Sequence, residues 1–375
     1  MFDRRSFLLG AGALLAGAPG ARAAEPGVGD GEILLGQSCV LSGPLGGGGT
    51  SLQGGISLAL EQANARGGIG GRRLRLLALD DAFDPARAQA NYQALARQAL
   101  ACIGGAGAGQ TLAALPVLQE HGMALVGASA VIDSAREKTR GLAYYTRASQ
   151  EREAEVLVQH LHTLGITKIA FVHLATPGGR EVLGQVQAAL ASRGLKMSGA
   201  VAVATDGRDV EAAGKALAAL QPQAALLFLT GAPAAALMKA VWENHASPAF
   251  YGMSILPGEV TARLLGTQTR GLAISQVTPY PWDGANADAV EFRRGAEKAG
   301  MHVDYHGYEG YLSARVLIEA LKPLGRDVTR AKLLASLQRL KTRIAGVDYD
   351  FSGGRHTGST FVELVQVRYD GKFVR

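Results

Sequence analysis

What most limits the fold of this chain is an alternation of short buried strand patterns with amphipathic helix patterns, carried through twice. Apolar residues at 33–40 read as a buried strand, followed by a glycine-rich turn and a helix near 50–64. The second strand, 74–79, runs into Asp80-Asp81, and Asp84-Pro85 then opens a helix with an acidic cap and a proline in its first turn. Strands at 101–104 and 124–127 flank a helix over 111–121. The scheme then starts again, with helices near 152–164, 180–192, 210–220 and 234–244 and strands at 169–173, 197–203, 225–229 and 250–251. Strand–helix pairs with glycine at the strand ends indicate a doubly wound parallel sheet, and two rounds of them indicate two similar α/β lobes. After a strand at 273–277 the pattern breaks at Thr278-Pro279-Tyr280-Pro281-Trp282, an irregular crossing. Helices near 287–299, 308–321 and 330–340 follow, and two strands, 345–349 and 361–367, close the chain. The expected lobes are 32–147 with 279–344, and 148–278 with 345–375.

Residues 1–23 stand apart from this scheme. Arg4-Arg5-Ser6-Phe7 is a twin-arginine start, an apolar run of small residues covers 8–18, and Ala21-Arg22-Ala23 fits a small-x-small cleavage site. The expectation is a signal peptide cut between Ala23 and Ala24 and a periplasmic mature protein. The apolar run is too short to cross ~30 Å of hydrocarbon. The remaining residues suit two domains at roughly 100–200 residues each. The formal charge of +6 falls to about +4 without Arg4, Arg5, Arg22 and Asp3. No run of five basic residues with interleaved aromatics occurs, so no nucleic-acid partner is expected. Cys39 and Cys102 fall on predicted strands of the first lobe, where disulfide geometry is poor, and are read as buried free thiols.

In open α/β sheets, ligands bind beyond the carboxyl ends of the strands. Two facing lobes would therefore line a cleft with 41–43, 105–110, 128–131, 174–179, 230–233 and 253–255. The glycine-rich segment 104–111 offers backbone N–H groups at a helix start, which suits a carboxylate. It has neither the Lys-Ser/Thr of a phosphate loop nor the dinucleotide spacing. Ser129 lacks the second glycine of a nucleophile elbow, since Val131 stands there. His160 and His162 point to different helix faces, and His302 and His306 around Asp304 read as a surface group rather than a metal site. Asp80-Asp81 reads as a strand end capping the next helix. No acid–base or nucleophile–base pair emerges, so neither catalysis nor a cofactor is expected.

Several stretches together resemble a known family. They are Gly36-Gln37-Ser38 with Leu41-Ser42-Gly43-Pro44, Asn64-Ala65-Arg66-Gly67-Gly68-Ile69-Gly70-Gly71-Arg72, Tyr308-Glu309-Gly310-Tyr311 and Gly354-Arg355-His356-Thr357-Gly358-Ser359. They resemble leucine/isoleucine/valine-binding-type periplasmic binding proteins along the whole mature chain. The resemblance implies a type I two-lobe fold with three crossovers and an ABC permease as membrane partner, and the doubled α/β pattern itself leads us to expect a monomer. It also implies ligand contacts from Ser42, Ala108, Gln110, Ser129 and Ala130 in the first lobe and Gly178, Thr230 and Ser254 in the second. In amino-acid-binding members a serine holds the ligand carboxylate where Ala108 stands here, and aromatics and an acid hold the ammonium group where Gly178, Ala232 and Met253 or Ser254 stand. An ammonium desolvated without a carboxylate partner costs several kcal/mol. A hydrophobic or aromatic carboxylate is therefore the expected ligand, with branched-chain or other amino acids as the alternative if Glu181 or Glu259 supplies the acid. A ligand sensor for a membrane receptor is a further alternative.

Overall fold

The structure, a computed structural model, describes residues 25–375 apart from positions 44, 270 and 369, so the proposed signal peptide lies outside the described residues. The first sheet holds β1 (Glu32–Cys39), β2 (Arg73–Asp80), β3 (Ala101–Ile103), β4 (Leu125–Val126) and β5 (Ala143–Tyr144) in the order β2-β1-β3-β4-β5. Between them run α1 (Gly46–Ala65), α2 (Pro85–Ala96), α3 (Ala108–His121) and α4 (Asp133–Lys138). After the first crossing, at Gln150–Thr163, α5 opens the second lobe.

That lobe contains β6 (Ile169–Leu174), α6 (Pro177–Ala191), β7 (Met197–Val203), α7 (Val210–Ala219), β8 (Ala224–Phe228), α8 (Gly231–Glu243), β9 (Ala249–Gly252), α9 (Gly258–Leu265) and β10 (Leu272–Gln276). The chain then returns to the first lobe through α10 (Ala287–Lys298), α11 (Tyr305–Leu321), α12 (Arg330–Leu337) and the hairpin β11 (Lys341–Ile344) with β12 (Val347–Asp350). Finally β13 (Glu363–Val367) pairs antiparallel with β10, and β14 (Phe373–Val374) pairs with β13. The second sheet is thus ordered β14-β13-β10-β9-β8-β6-β7. Its parallel part repeats the winding of the first sheet, strand for strand.

Local chemistry accounts for these elements. Strand β8, and β6 as far as Val172, are apolar runs buried on both faces, as expected of parallel strands covered by helices. Helix α2 starts where foreseen, with Asp84 accepting from the backbone N–H groups of Ala86 and Arg87 and Pro85 in the first turn. In α6 the same logic uses Thr176, whose side chain accepts from Gly179 N, followed by Pro177. Asp80 and Asp81 do not cap a helix. Asp80 ties the β1 and β2 ends together through Leu41 N and Ser42 Oγ, while Asp81 takes Ser38 Oγ and Phe83 N.

One boundary differs from the sequence reading. Residues 345–375 do not all join the second lobe, because Ile344, Val347, Tyr349 and Phe351 are buried in the same apolar core as β1, α1 and α11. Nor do the two closing strands pair with each other: β12 pairs with β11, a strand the sequence pattern left as loop. Lys341-Thr342-Arg343-Ile344 is four residues long and only Ile344 is apolar and buried, too little for a period-two signal to stand out.

Candidate functional site

Arg147 lies on the first crossing, 3% exposed at its side chain. Its Nη1 donates to Ser129 Oγ at 2.9 Å in the first lobe, and its Nη2 donates to Ser254 Oγ in the second. Glu309 of α11 and Glu153 of α5 each stand 3.5 Å from the guanidinium. Glu153 is itself held by neutral donors: Ser254 N and Ser254 Oγ at 2.8 Å and Ser275 Oγ at 2.7 Å. This network forms the floor where the two lobes meet.

Beside the floor lies a cavity of about 520 Å³, with Ser254 in its wall. Four helix starts converge on it: Gly47 and Gly48 of α1, Gly231 and Ala232 of α8, Gly258 and Glu259 of α9, and Tyr305 and His306 of α11. Leu45, Thr230 and Pro257, at the N-cap positions of α1, α8 and α9, make no side-chain cap hydrogen bond. Only α11 is capped, by Asp304, which accepts from Gly307 N and also from Ser51 Oγ. The first N–H groups of a helix have no partner within the helix, and the helix dipole leaves partial positive charge there. Three such ends on one cavity could receive an anion, and the acids Glu259 and Asp304 stand in the same wall.

The rest of the wall is partly polar, with Thr205, Gln276, Asp304 and His306, and partly apolar. Ile255, Leu256, Val260, Tyr305 and Phe373 line it. Tyr305 meets Phe373 edge to face at 5.1 Å, and Trp282 stacks on Phe373 at 5.6 Å. Trp282, which is not among the lining residues, thus supports the aromatic wall from behind. Burial pushes the Tyr305 phenol far above its usual range, so it stays protonated.

The lobes touch across the cleft. Glu181 of α6 accepts from Ser134 N at 2.9 Å, and Gln185 donates to Asp133 at 2.8 Å. On the other side Glu259 pairs with His302 at 2.8 Å. Of the two acids singled out from the sequence, Glu259 borders the cavity, whereas Glu181 binds the first lobe at the start of α4.

The sequence-predicted residues separate into three groups. Thr230 and Ser254 line the cavity, and Ser129 joins Ser254 through Arg147. Ala108 and Gln110 open α3, Ala130 lies between β4 and α4, and none of the three is among the lining residues. The side chain of Gln110 is committed to Phe83 O at 2.6 Å, and Gly107 N donates to Ser129 O, so the glycine-rich segment is engaged with its own lobe. Ser42 is exposed, and its hydroxyl is the main cause of the Asp80 carboxyl falling to about 2. Gly178 meets the facing lobe: a Cβ there would stand 3.2 Å from Ile132 Cγ2.

Sequence reasoning missed Arg147, Glu153 and Glu309, and α9 with its part of the wall. Arg147 and Glu153 sit at a crossing and on a helix face, outside the strand ends that guided the search. A signal was available for Glu309, which lies in the family-like stretch Tyr308-Glu309-Gly310-Tyr311.

A family profile described as periplasmic binding protein matches residues 32–372. A Leu/Ile/Val-binding protein homolog 1 of Brucella melitensis is 23% identical over 350 residues, covering 91% of this chain and 92% of that one. An extracellular ligand-binding receptor from Verminephrobacter eiseniae superposes with a TM-score of 0.82 at 27% identity, covering 92% of this chain and 100% of its own. A substrate-binding periplasmic protein from Ralstonia solanacearum does so with a TM-score of 0.82 at 26% identity, covering 92% and 99%.

Proposed function

Because this chain belongs to the periplasmic binding protein family, we propose that it captures a small hydrophobic or aromatic carboxylate between its lobes and presents it to an ABC permease. The chain is a substrate-binding protein rather than an enzyme. The observation that carries the ligand class is the meeting of three helix starts without side-chain caps, at α1, α8 and α9, on a cavity whose wall also holds Ile255, Leu256, Val260, Tyr305 and Phe373. The backbone N–H groups take the carboxylate, and Leu256, Val260, Tyr305 and Phe373 take the apolar body. Closing the lobes around the ligand is a hinge motion, with Ser129 and Ser254 drawn onto Arg147 from opposite sides.

A second reading, a branched-chain amino acid, is favoured by Glu259, which borders the cavity and could pair an ammonium group on release from His302. Calorimetric titration decides between the two. Micromolar binding of benzoate-type or medium-chain fatty acids, with none of leucine, isoleucine or valine, is the expected result. Binding of leucine that disappears in Glu259→Gln would replace the first reading with the second.

A further inference from the structure

Gln276, the last residue of β10, stands in the cavity wall and is 5% exposed. Successive residues of a strand point to opposite faces of the sheet. Ala273 and Ser275 face α5, where Ser275 Oγ donates to Glu153, while Leu272 and Ile274 are buried in the core that holds Leu256, Tyr305 and Phe373. Gln276 follows the second set, and Leu256, Tyr305 and Phe373 are themselves cavity-wall residues. Its side chain is thus directed to the cavity side of the sheet, beside the apolar wall. Among the described residues the Gln276 amide has no hydrogen-bond partner, and neither its nitrogen nor its oxygen is among the unpartnered atoms closed off from solvent. Buried polar groups are ordinarily paired, and this one opens onto space a ligand can fill.

The surroundings favour a neutral partner. Glu363 of β13 lies directly opposite Gln276 in the antiparallel ladder, so the two side chains share one face of the sheet. Its Oε1 has no partner, and Arg375 stands 3.4 Å from its Oε2. A ligand carboxylate against Gln276 would bring a second acid beside this one in a buried place, whereas a neutral group brings no charge. A primary amide presents an N–H donor and a carbonyl acceptor side by side. The neutral group that satisfies both at once is one with the same edge, a carboxamide or lactam; a ketone answers the donor alone. At about 520 Å³ the cavity has the room of about seventeen waters at ~30 Å³ each, enough for an aromatic acid with such a substituent.

We propose that Gln276 is a specificity-determining residue of the cavity, pairing with an uncharged carboxamide-type edge, so that the preferred ligands are apolar acids that also carry a carboxamide or lactam. The proposal rests on the carboxylate reading above and adds a second point of recognition to it. Calorimetry tests it with benzoate and with two series of near-equal shape, the 3- and 4-substituted benzoates bearing isopropyl, acetyl or carbamoyl groups.

In at least one series the carbamoyl acid should bind about tenfold tighter than the isopropyl acid, with the acetyl acid between them. That ratio should fall to about one in Gln276→Met, which keeps the reach of the side chain without its amide. Circular dichroism confirms that the variant is folded, and Gln276→Leu replaces it if it is not. Equal binding within both series by the wild type, or a preference that survives the substitution, overturns the assignment. A variant that weakens all the acids alike also overturns it, since Gln276 would then hold the carboxylate. Binding of benzoate with none of the substituted acids overturns the carboxamide pairing and leaves the carboxylate reading standing. If no acid binds at all, the carboxylate reading falls and the pairing with it.

Discussion

Arg136 shows how much one buried side chain can organise. Only 1% exposed, it donates to the carbonyls of Val131, Arg147 and Ala148 and stacks over Tyr145 at 4.8 Å, so it grips the first crossing where it leaves the first lobe. Burial lowers its guanidinium to about 10, still charged at neutral pH. Replacing it by methionine orphans three buried carbonyl bonds, and Arg136→Met should cost about 3 kcal/mol, read from the urea midpoint at constant slope. A loss below about 1 kcal/mol would show that water replaces the guanidinium. At this scale the sequence was only partly legible. Ser129, Thr230 and Ser254 were identifiable because polar residues at strand ends have few structural reasons to be there. Arg136, Arg147 and Glu153 were not, because a charged residue on a polar helix or loop pattern looks like solvated surface until packing buries it.

At the scale of elements, the helices were read in the right places but several began too late. Helices α1, α3, α6 and α8 start three or four residues ahead of the apolar pattern, at Gly46, Ala108, Pro177 and Gly231. Those first turns are rich in glycine, alanine and proline, which carry little periodicity, and they include part of the cavity wall. The start of α8 offers a direct test. Thr230→Asp supplies the side-chain acceptor this helix lacks and places a negative charge at its positive end. The variant should gain about 0.5–1 kcal/mol in thermal unfolding without ligand, and its affinity for carboxylates should drop about tenfold in calorimetry. Unchanged carboxylate binding would remove α8 from the anion seat. A second test concerns β13, where burial pushes the Glu363 carboxyl up to about 7 despite its ion pair with Arg375. The folded protein therefore holds this proton at pH values where the unfolded chain has released it. Stability contributed here is complete below the ordinary carboxylate range and is lost as pH rises through about 7. Glu363→Gln should remove a decline of about 2 kcal/mol between pH 5 and 8.5, allowing for solvent screening. Parallel pH profiles of melting temperature in the two proteins would refute that assignment.

At the scale of the whole molecule, the doubled α/β winding was legible because strand–helix alternation is a property of long runs and tolerates local error. The hairpin β11–β12 was not, since its burial depends on α11, which ends at Leu321, well before β12 starts at Val347. The closeness of the lobes at Gly178 turns closure into something a single side chain can obstruct. Gly178→Val would press its methyl groups on Ile132 across the cleft, and the lobes should stay apart on addition of ligand. Small-angle scattering should then show no contraction, with affinity reduced about tenfold because the binding-competent state is depleted. Normal contraction in this variant would mean that the hinge closes along another path. Cys39 and Cys102 are both free, buried and raised to about 12 by burial, hence neither ionised nor reachable in the folded protein. A cysteine introduced on the outer surface of each lobe would accordingly be the site that a maleimide dye finds, and the molecule can report its own closing by fluorescence without first being stripped of its native thiols.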